Sequence, residues 1–131
     1  MSNVPEQLHY TKTHEWVRQE SDGTIVMGIT DHAQELLGDL VYVELPELGR
    51  TLEGRVELAV VESVKAAADV YSPVAGEVVA VNQALTDTPE LINRDPYGAG
   101  WMVRIKPTAP EEISALLDAA AYSSLAKNEE D

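Results

Sequence analysis

The chain has 131 residues, no cysteine, and a net charge of −14 from 23 Asp and Glu against 9 Lys and Arg. This length predicts one domain with a substantial hydrophobic core. The charge excludes nucleic acid and anionic membrane surfaces as natural partners, because both require clustered basic side chains. It favours a monomer whose protein partners have basic docking surfaces.

The missing cysteines exclude disulfides and thiolate zinc sites, so any sulfur chemistry must come from an attached cofactor. The N-terminal segment has neither the basic and apolar regions of a signal peptide nor the Arg-rich character of a transit peptide. No apolar run approaches the length of a membrane span. We therefore expect a complete cytoplasmic chain, with a core of Val, Leu, Ile and Ala typical of a small β structure.

The first elements along the chain form a predicted hairpin. Residues 1–9 are expected to be loosely held. Strands over 16–20 and 25–29 flank Asp22-Gly23, which is a strong signal of a hairpin turn.

A short helix and a strand are predicted next. Asp31 is expected to cap a helix over 32–37, with Gln34 as its reciprocal partner and Gly38 at its end. The strand that follows alternates in hydrophobicity and ends before a proline. Its predicted apolar face consists of Val41, Val43 and Leu45.

The middle of the chain predicts a second hairpin, centred on a lysine. Apolar runs over 58–61 and 70–74 flank Lys65, whose neighbours are small, so that its amine is expected to stand exposed in the turn. Gly54 and Gly76 each lie eleven residues from Lys65. We expect a two-stranded protrusion over 54–76, with a sharp backbone turn at each glycine.

The last third predicts two more strands and a helical end. Strands are expected over 77–82 and 101–105, separated by a region, 83–100, that is mostly loop. A helix is predicted over about 109–127, opened by a capping box between Thr108 and Glu111. Asp118 offers an alternative, in which it caps a second, separate helix, and the tail over 128–131 is expected to fray.

Seven or so short strands with few helices predict a mostly β fold, a small barrel or sandwich with helical appendages, in one domain over 1–131. The residues around Lys65, Glu-Ser-Val-Lys-Ala, then connect the chain to a known family. It resembles the H-protein of the glycine cleavage system. The other motifs that carry the resemblance occur in the family's order: His14-Glu15-Trp16, Gly-Ile-Thr-Asp-His-Ala-Gln over 28–34, Ser-Pro-Val-Ala-Gly-Glu-Val over 72–78, Leu91-Ile92-Asn93, Pro96-Tyr97 and Gly100-Trp101-Met102.

The resemblance implies a flattened lipoyl-type hybrid of barrel and sandwich with short C-terminal helices. It also implies a non-catalytic carrier whose cofactor is lipoic acid, joined by an amide to Lys65. The implied partners are the glycine decarboxylase (P-protein), the aminomethyltransferase (T-protein), dihydrolipoamide dehydrogenase (L-protein) and the lipoate-attaching enzymes. In the family the first loads an aminomethyl group, the second passes its carbon to tetrahydrofolate, and the third reoxidises the arm.

The resemblance further places Glu15 and Asp69 beside a cleft that shelters the loaded arm, with Thr13 and Ile29 also lining it. A cationic amine buried there requires a carboxylate partner, and we expect one or both acids to supply it. Glu15 could instead be an ordinary surface carboxylate.

Recognition by the lipoate-attaching enzyme is a hypothesis for Glu62, and Gly54 and Gly76 would assist it by shaping the hairpin; the alternative role of the two glycines is purely conformational. His14 and His32 have no ligand cluster around them, and we expect no metal site. Trp16 and Trp101 are interpreted as core residues.

Rival functions remain open at this point. An enzyme using Lys65 as a Schiff-base nucleophile would need a desolvated lysine with a lowered pKa, whereas carboxylates at Glu62 and Asp69 favour the charged amine. A β-domain interaction module without a prosthetic group is a further possibility. Among carriers, a biotin domain usually flanks its lysine with methionines, where this chain has Val64 and Ala66, and a lipoyl domain of a 2-oxoacid dehydrogenase normally continues into further domains.

Overall fold

The computed structural model describes residues 3–130, and these form nine β-strands and five helical segments. The strands are β1 (His9–Tyr10), β2 (Glu15–Gln19), β3 (Ile25–Ile29), β4 (Leu40–Glu44), β5 (Thr51–Leu52), β6 (Glu57–Ser63), β7 (Ala67–Tyr71), β8 (Gly76–Val81) and β9 (Val103–Pro107). The helices are α1 (Asp31–Leu37), α2 (Ala84–Asp87), α3 (Leu91–Arg94), a 3₁₀ helix (Pro110–Ala115) and α4 (Ala119–Glu130).

Two antiparallel sheets make up the body of the molecule. One has six strands in the order β1-β2-β3-β9-β8-β5, and the other has three in the order β4-β6-β7. One cluster of buried apolar residues takes members from both sheets, including Val17, Ile25, Val43, Val61 and Val70. The sheets therefore share one core, and the predicted mostly β, lipoyl-type fold with short helices is confirmed.

The strand β4 does not present the predicted face. A β-bulge between Leu40 and Tyr42 shifts its register against β6. Leu40 and Val43 are consequently buried, while Val41 is 55% exposed. Strict alternation was the wrong expectation here, because an extra residue at a bulge reverses the side-chain direction on one side of it.

The lysine-centred hairpin exists, but it is not a free-standing protrusion, because β6 pairs with β7 on one side and with β4 on the other. The predicted turn at Gly54 is present, closed by the Val56 N–H donating to the Glu53 carbonyl at 3.4 Å, but the one predicted at Gly76 is wrong, because Gly76 begins β8. The left-handed residue is Arg55, with φ 69°, and neither Gly54 nor Gly76 has a positive φ. Gly76 is needed for a different reason, since a Cβ there would lie 2.3 Å from the Lys106 carbonyl oxygen of the neighbouring strand.

The cap of α1 is Thr30, not Asp31. Thr30 has extended backbone, and its hydroxyl accepts the Ala33 N–H at 3.2 Å. Gln34 does reach back to Asp31, at 2.7 Å, but as a side-chain pair within the helix. Gly38 ends the helix with φ 86°, as predicted.

The C-terminal region is two segments rather than one helix, and the alternative cap at Asp118 is confirmed, because its carboxylate accepts the Ala121 N–H at 2.8 Å. Leu117 exchanges two backbone hydrogen bonds of 2.8 Å with Tyr10, which requires extended backbone and interrupts the helix. The predicted capping box makes no side-chain cap at the 3₁₀ helix. The tail over 128–131 was expected to fray, but the helix α4 continues through Glu130, so this expectation is wrong for residues 128–130. Residue 131 lies outside the described part of the chain.

The N-terminal segment is anchored, contrary to expectation, from residue 3 onward; residues 1–2 lie outside the described part of the chain. Leu8 is buried, and the Tyr97 hydroxyl donates to the Asn3 carbonyl at 2.6 Å. The Tyr10 hydroxyl donates to the Pro5 carbonyl at 2.6 Å. Within residues 3–130 no helix combines the length and the apolar character needed to cross a bilayer.

Candidate functional site

Lys65 lies at the exposed tip of the β6–β7 hairpin, in a turn that the side chain of Ser63 organises. The Ser63 hydroxyl oxygen accepts the N–H groups of Lys65 at 3.3 Å and Ala66 at 3.0 Å. The Val64 N–H donates to the Asp39 carbonyl at 3.2 Å, which ties the tip to the segment after α1. The turn is therefore ordered while its side chains face solvent, as the sequence predicted for the lysine.

The lysine side chain itself is unencumbered. Among residues 3–130 no hydrogen bond or ion pair engages its Nζ, and its Cε passes 3.5 Å from the position that a Cβ on Gly38 would take. An accessible amine on an ordered turn suits acylation by another enzyme. It does not suit Schiff-base catalysis, which requires a desolvated lysine.

Glu15 is the second notable side chain, because it is a carboxylate that is only 1% exposed. Its Oε1 accepts hydrogen bonds from the hydroxyls of Thr11 at 2.5 Å and Thr13 at 2.6 Å. Its Oε2 accepts the Tyr71 N–H at 3.2 Å, and the Arg55 guanidinium lies 3.7 Å from Oε1. The carboxylate therefore joins the start of β2 to the end of β7.

These surroundings act on the protonation of Glu15 in opposite directions. Burial raises its pKa above the usual value, and this is the largest effect. The hydrogen bonds from Thr11, Thr13 and Tyr71 and the charge of Arg55 lower the pKa in part. A buried carboxyl held in this balance can receive either a proton or a cation.

The loop that carries Glu15 is held by the C-terminal helix. His14 has φ 72°, a left-handed conformation that is uncommon for non-glycine residues. Its Nδ1 is hydrogen-bonded to the Tyr122 hydroxyl of α4 at 2.7 Å, and that hydroxyl meets Thr30 Oγ1 at 2.6 Å. The Thr30 N–H donates to the His14 carbonyl at 3.0 Å, so α4 helps to position the residue before Glu15.

The structure brings most of the predicted cleft residues together. Ile29 is buried and is the direct β-pair partner of Glu15, and Thr13 touches its carboxylate. Asp69 is exposed on β7 and precedes Tyr71 by two residues, a distance of about 7 Å along the strand axis. At most about 14 Å of extended backbone separates Lys65 from Asp69. Lys65 thus lies in the turn before β7, Asp69 lies on β7, and Glu15 of β2 contacts the far end of β7 at the Tyr71 N–H.

Glu62 and the two glycines are not part of this cluster. Glu62 is exposed on the outer face of the smaller sheet, between Tyr42 and Ala67. Gly76 lies in β8 of the other sheet, and Gly54 lies just before β6. The positions of the two glycines agree with conformational roles, and recognition of Glu62 by an attaching enzyme stays a hypothesis.

Sequence reasoning missed two residues of the Glu15 site, Thr11 and Arg55. Thr11 could have been suspected, because it lies four residues before Glu15 in a tight loop. Nothing local indicates Arg55, which comes from forty residues further along the chain. The histidines are explained by packing and by the network above, with His32 buried in α1. Trp16 is fully buried and Trp101 is half-buried.

Within the described residues, His, Asp and Glu side chains do not form any group of three or more that could hold a metal ion.

Comparison with known proteins gives consistent results over nearly the whole chain. A family model described as the glycine cleavage H-protein matches residues 8–129. The glycine cleavage system H protein of Cronobacter sakazakii is 58% identical over 129 residues, which cover 98% of this chain and 100% of that protein. The corresponding proteins of Klebsiella pneumoniae and Escherichia coli are each 57% identical over the same shares.

A solved structure is similar as well. The crystal structure of a glycine cleavage system H protein from Mycobacterium marinum superposes with a TM-score of 0.84 at 41% sequence identity. The match covers 92% of this chain and 97% of that one.

Proposed function

The chain belongs to the glycine cleavage H-protein family, the non-catalytic lipoyl carriers of the glycine cleavage system, and from this premise we propose that Lys65 is the residue that carries the lipoyl group. The observation that supports the assignment is the position of Lys65, which is exposed on an ordered turn with no partner for its amine among residues 3–130. Acylation would remove the charge of the amine and leave a neutral tether.

The residues around Lys65 at the tip of the hairpin leave space for a lipoyl group. Lys65 is flanked by the exposed Val64 and Ala66, and its Cε lies near Gly38, whose missing side chain leaves room for an arm that leaves the turn. When attached, the lipoyl group supplies a dithiolane that can be reduced, loaded and reoxidised. The protein supplies the tether, which raises the effective concentration of that group at a docked active site.

We infer that the glycine decarboxylase loads an aminomethyl unit from glycine as carbon dioxide leaves. The aminomethyltransferase takes its carbon to tetrahydrofolate with release of ammonia, and dihydrolipoamide dehydrogenase restores the oxidised carrier. Lipoate-attaching enzymes complete the set of partners. We further propose a cytoplasmic monomer that acts as one domain, in keeping with the net charge of −14.

Between its encounters with the partner enzymes, the chain holds the cationic amine of the aminomethyl group on its lipoyl arm, which is the cargo of the carrier. Glu15 offers a buried carboxylate near the base of β7, and Asp69 offers an exposed one between Glu15 and the tip. An amine held at Glu15 would be shielded from water, which slows hydrolysis. Thr13 and Ile29 shape the same site, because one donates to Glu15 and the other pairs with it.

Intact-mass measurement tests the central assignment. The protein is produced with lipoate and a competent lipoate ligase, and the modified peptide is mapped. We expect a lipoyl-sized increment on Lys65 that is absent in Lys65→Arg. Lys106→Arg, which changes another lysine far from the tip, serves as the matched control and should keep the increment. An increment on a different lysine, or none on a folded protein, contradicts the proposal, and a biotin-sized increment would indicate a different carrier.

A further inference from the structure

Arg55 occupies an unusual position between β5 and β6. Its φ of 69° is in the left-handed region that non-glycine residues rarely adopt. Its backbone N–H donates to the Ser72 carbonyl at 2.9 Å, next to Tyr71, whose N–H binds the Glu15 carboxylate. The backbone at Arg55 is therefore attached to the same end of β7 as Glu15.

The side chain of Arg55 extends over the Glu15 site. One guanidinium nitrogen donates to the Thr13 hydroxyl at 2.6 Å, and the other lies 3.7 Å from Glu15 Oε1. The Arg55 side chain is 45% exposed, whereas that of Glu15 is 1% exposed. The guanidinium is thus the cation nearest to a buried carboxylate, on the side that faces solvent.

The contact between the Arg55 guanidinium and the Glu15 carboxylate is a charge contact alone. A distance of 3.7 Å is an ion pair without a hydrogen bond. A carboxylate has about four acceptor positions, and Thr11, Thr13 and Tyr71 fill three of them. One position remains for a donor, on Oε2, which accepts only the Tyr71 N–H among residues 3–130, while the half-exposed guanidinium lies near Oε1 and donates its hydrogen bond to Thr13.

We propose that Arg55 is a resident counter-ion of Glu15, which the cationic amine of the cargo displaces when the carrier is loaded. This inference rests on the proposed function, because it requires a cargo amine that reaches Glu15. One buried negative charge cannot compensate two cations, so the amine and the guanidinium compete for it. Arg55 and the cargo amine therefore exchange at one carboxylate.

Two consequences follow for the carrier. A neutral, unloaded arm cannot displace a guanidinium, so the site discriminates the loaded arm from the unloaded arm by charge. The competition also weakens the hold on the amine, which assists its release to the next enzyme. Arg55 is in this sense a positioning residue for the loaded state.

The first test observes wild-type lipoylated protein by NMR, with the increment on Lys65 verified by mass. The guanidinium N–H signals of Arg55 are compared between the oxidised, unloaded protein and the loaded protein. We expect these signals to move on loading and to stay unchanged on simple reduction of the arm. Signals that are the same in all three states would overturn the proposal, and this readout requires no variant.

The second test compares the lifetimes of the loaded arm in Arg55→Gln and Arg50→Gln. Gln at 55 keeps the strained backbone and part of the side-chain stem while it removes the charge. Arg50 is the matched control, since among residues 3–130 the one hydrogen bond of its guanidinium goes to the Glu57 carbonyl, at 3.0 Å. We expect hydrolysis to be slower by about two- to fivefold in Arg55→Gln, the range for a half-exposed ion pair, and unchanged in Arg50→Gln.

Equal or faster hydrolysis in Arg55→Gln contradicts the exchange and leaves Arg55 a structural role only. Failure of the proposed function is distinguished from this by mass. If Lys65 carries no increment, both proposals fail; a normal increment with unmoved Arg55 signals refutes the exchange alone.

Discussion

The Glu15→Gln substitution tests most directly how the protein holds its cargo. The amide has nearly the same shape as the carboxylate but no charge, and its oxygen can still accept from Thr11 and Thr13. Glu15→Ala is less suitable, because it would leave three donors without their acceptor, at a cost of about 1–3 kcal/mol for each one that water does not reach. The glutamine variant instead places an amide N–H near the Tyr71 N–H, a single unfavourable contact.

The expected magnitude follows from the burial of Glu15. A hydrogen bond to a charged group contributes about 1.5–3 kcal/mol, and each 1.4 kcal/mol is roughly a factor of ten in an equilibrium. Loss of the carboxylate should therefore reduce the held population of the loaded arm by about 10- to 100-fold. Hydrolysis should accelerate accordingly, up to the rate of a free arm in water.

Asp69→Asn provides a graded comparison on β7, whose end the Glu15 carboxylate contacts. Its carboxylate is exposed, and an exposed ion pair contributes only about 0.2–1 kcal/mol. We expect hydrolysis of the loaded arm to rise by about fivefold or less in this variant. The two substitutions together separate a buried partner from a solvated one.

The assay separates loaded carrier from the loading enzyme and follows loss of the cargo by intact mass at neutral pH. Circular dichroism confirms that each variant is folded. If Glu15→Gln and wild type lose the cargo at the same rate, the assignment of Glu15 as the amine partner is wrong. If Asp69→Asn has the larger effect, burial is not the property that decides which carboxylate holds the amine.

Further predictions concern stability, pH and attachment. Gly76→Ala should lower the free energy of unfolding by about 1–3 kcal/mol, because its Cβ would meet the Lys106 carbonyl oxygen at 2.3 Å. Gly54→Ala should leave that free energy nearly unchanged, because the nearest atom to its Cβ is 3.4 Å away. Equal effects of the two substitutions in denaturant unfolding would refute this explanation. Burial raises the pKa of Glu15 above 4.5 in the folded protein, so the folded state binds that proton more tightly than the unfolded chain. The stability of wild type relative to Glu15→Gln should therefore be highest below pH 4.5 and fall as the pH rises through the raised pKa; a difference that rises with pH in thermal unfolding would show the opposite sign. Charge reversal in Glu62→Lys should slow lipoylation by about two- to fivefold if the attaching enzyme binds this exposed carboxylate, and an unchanged initial rate would remove that role.

The elements that could be predicted from the sequence are those encoded by neighbouring residues. The Asp22-Gly23 turn, the end of α1 at Gly38 and the lysine-bearing hairpin depend on turn chemistry and on alternation within a few positions. The family motifs are equally local, and the exposure of Lys65 follows from its place between two strands. These features are confirmed because tertiary packing does not oppose them.

The departures arise where a distant segment overrides a local preference. The predicted C-terminal helix is broken because Leu117 pairs with Tyr10, more than a hundred residues away. The face of β4 is altered by a bulge that becomes visible only when β4 is paired with β6. Gly76, which appeared equivalent to Gly54 by spacing, is required by the approach of the Lys106 backbone.

The sequence by itself determined the family, the fold class and the candidate lysine, because short-range patterns and motifs carry that information. Only the tertiary structure decided the state of Glu15. Its burial and its contacts come from a tight loop before β2, from the end of β7 and from Arg55, which lie far apart along the chain. The protonation and charge of a carboxyl depend on the dielectric and on the cations around it, and those are set by the packing of segments that no local pattern relates to one another.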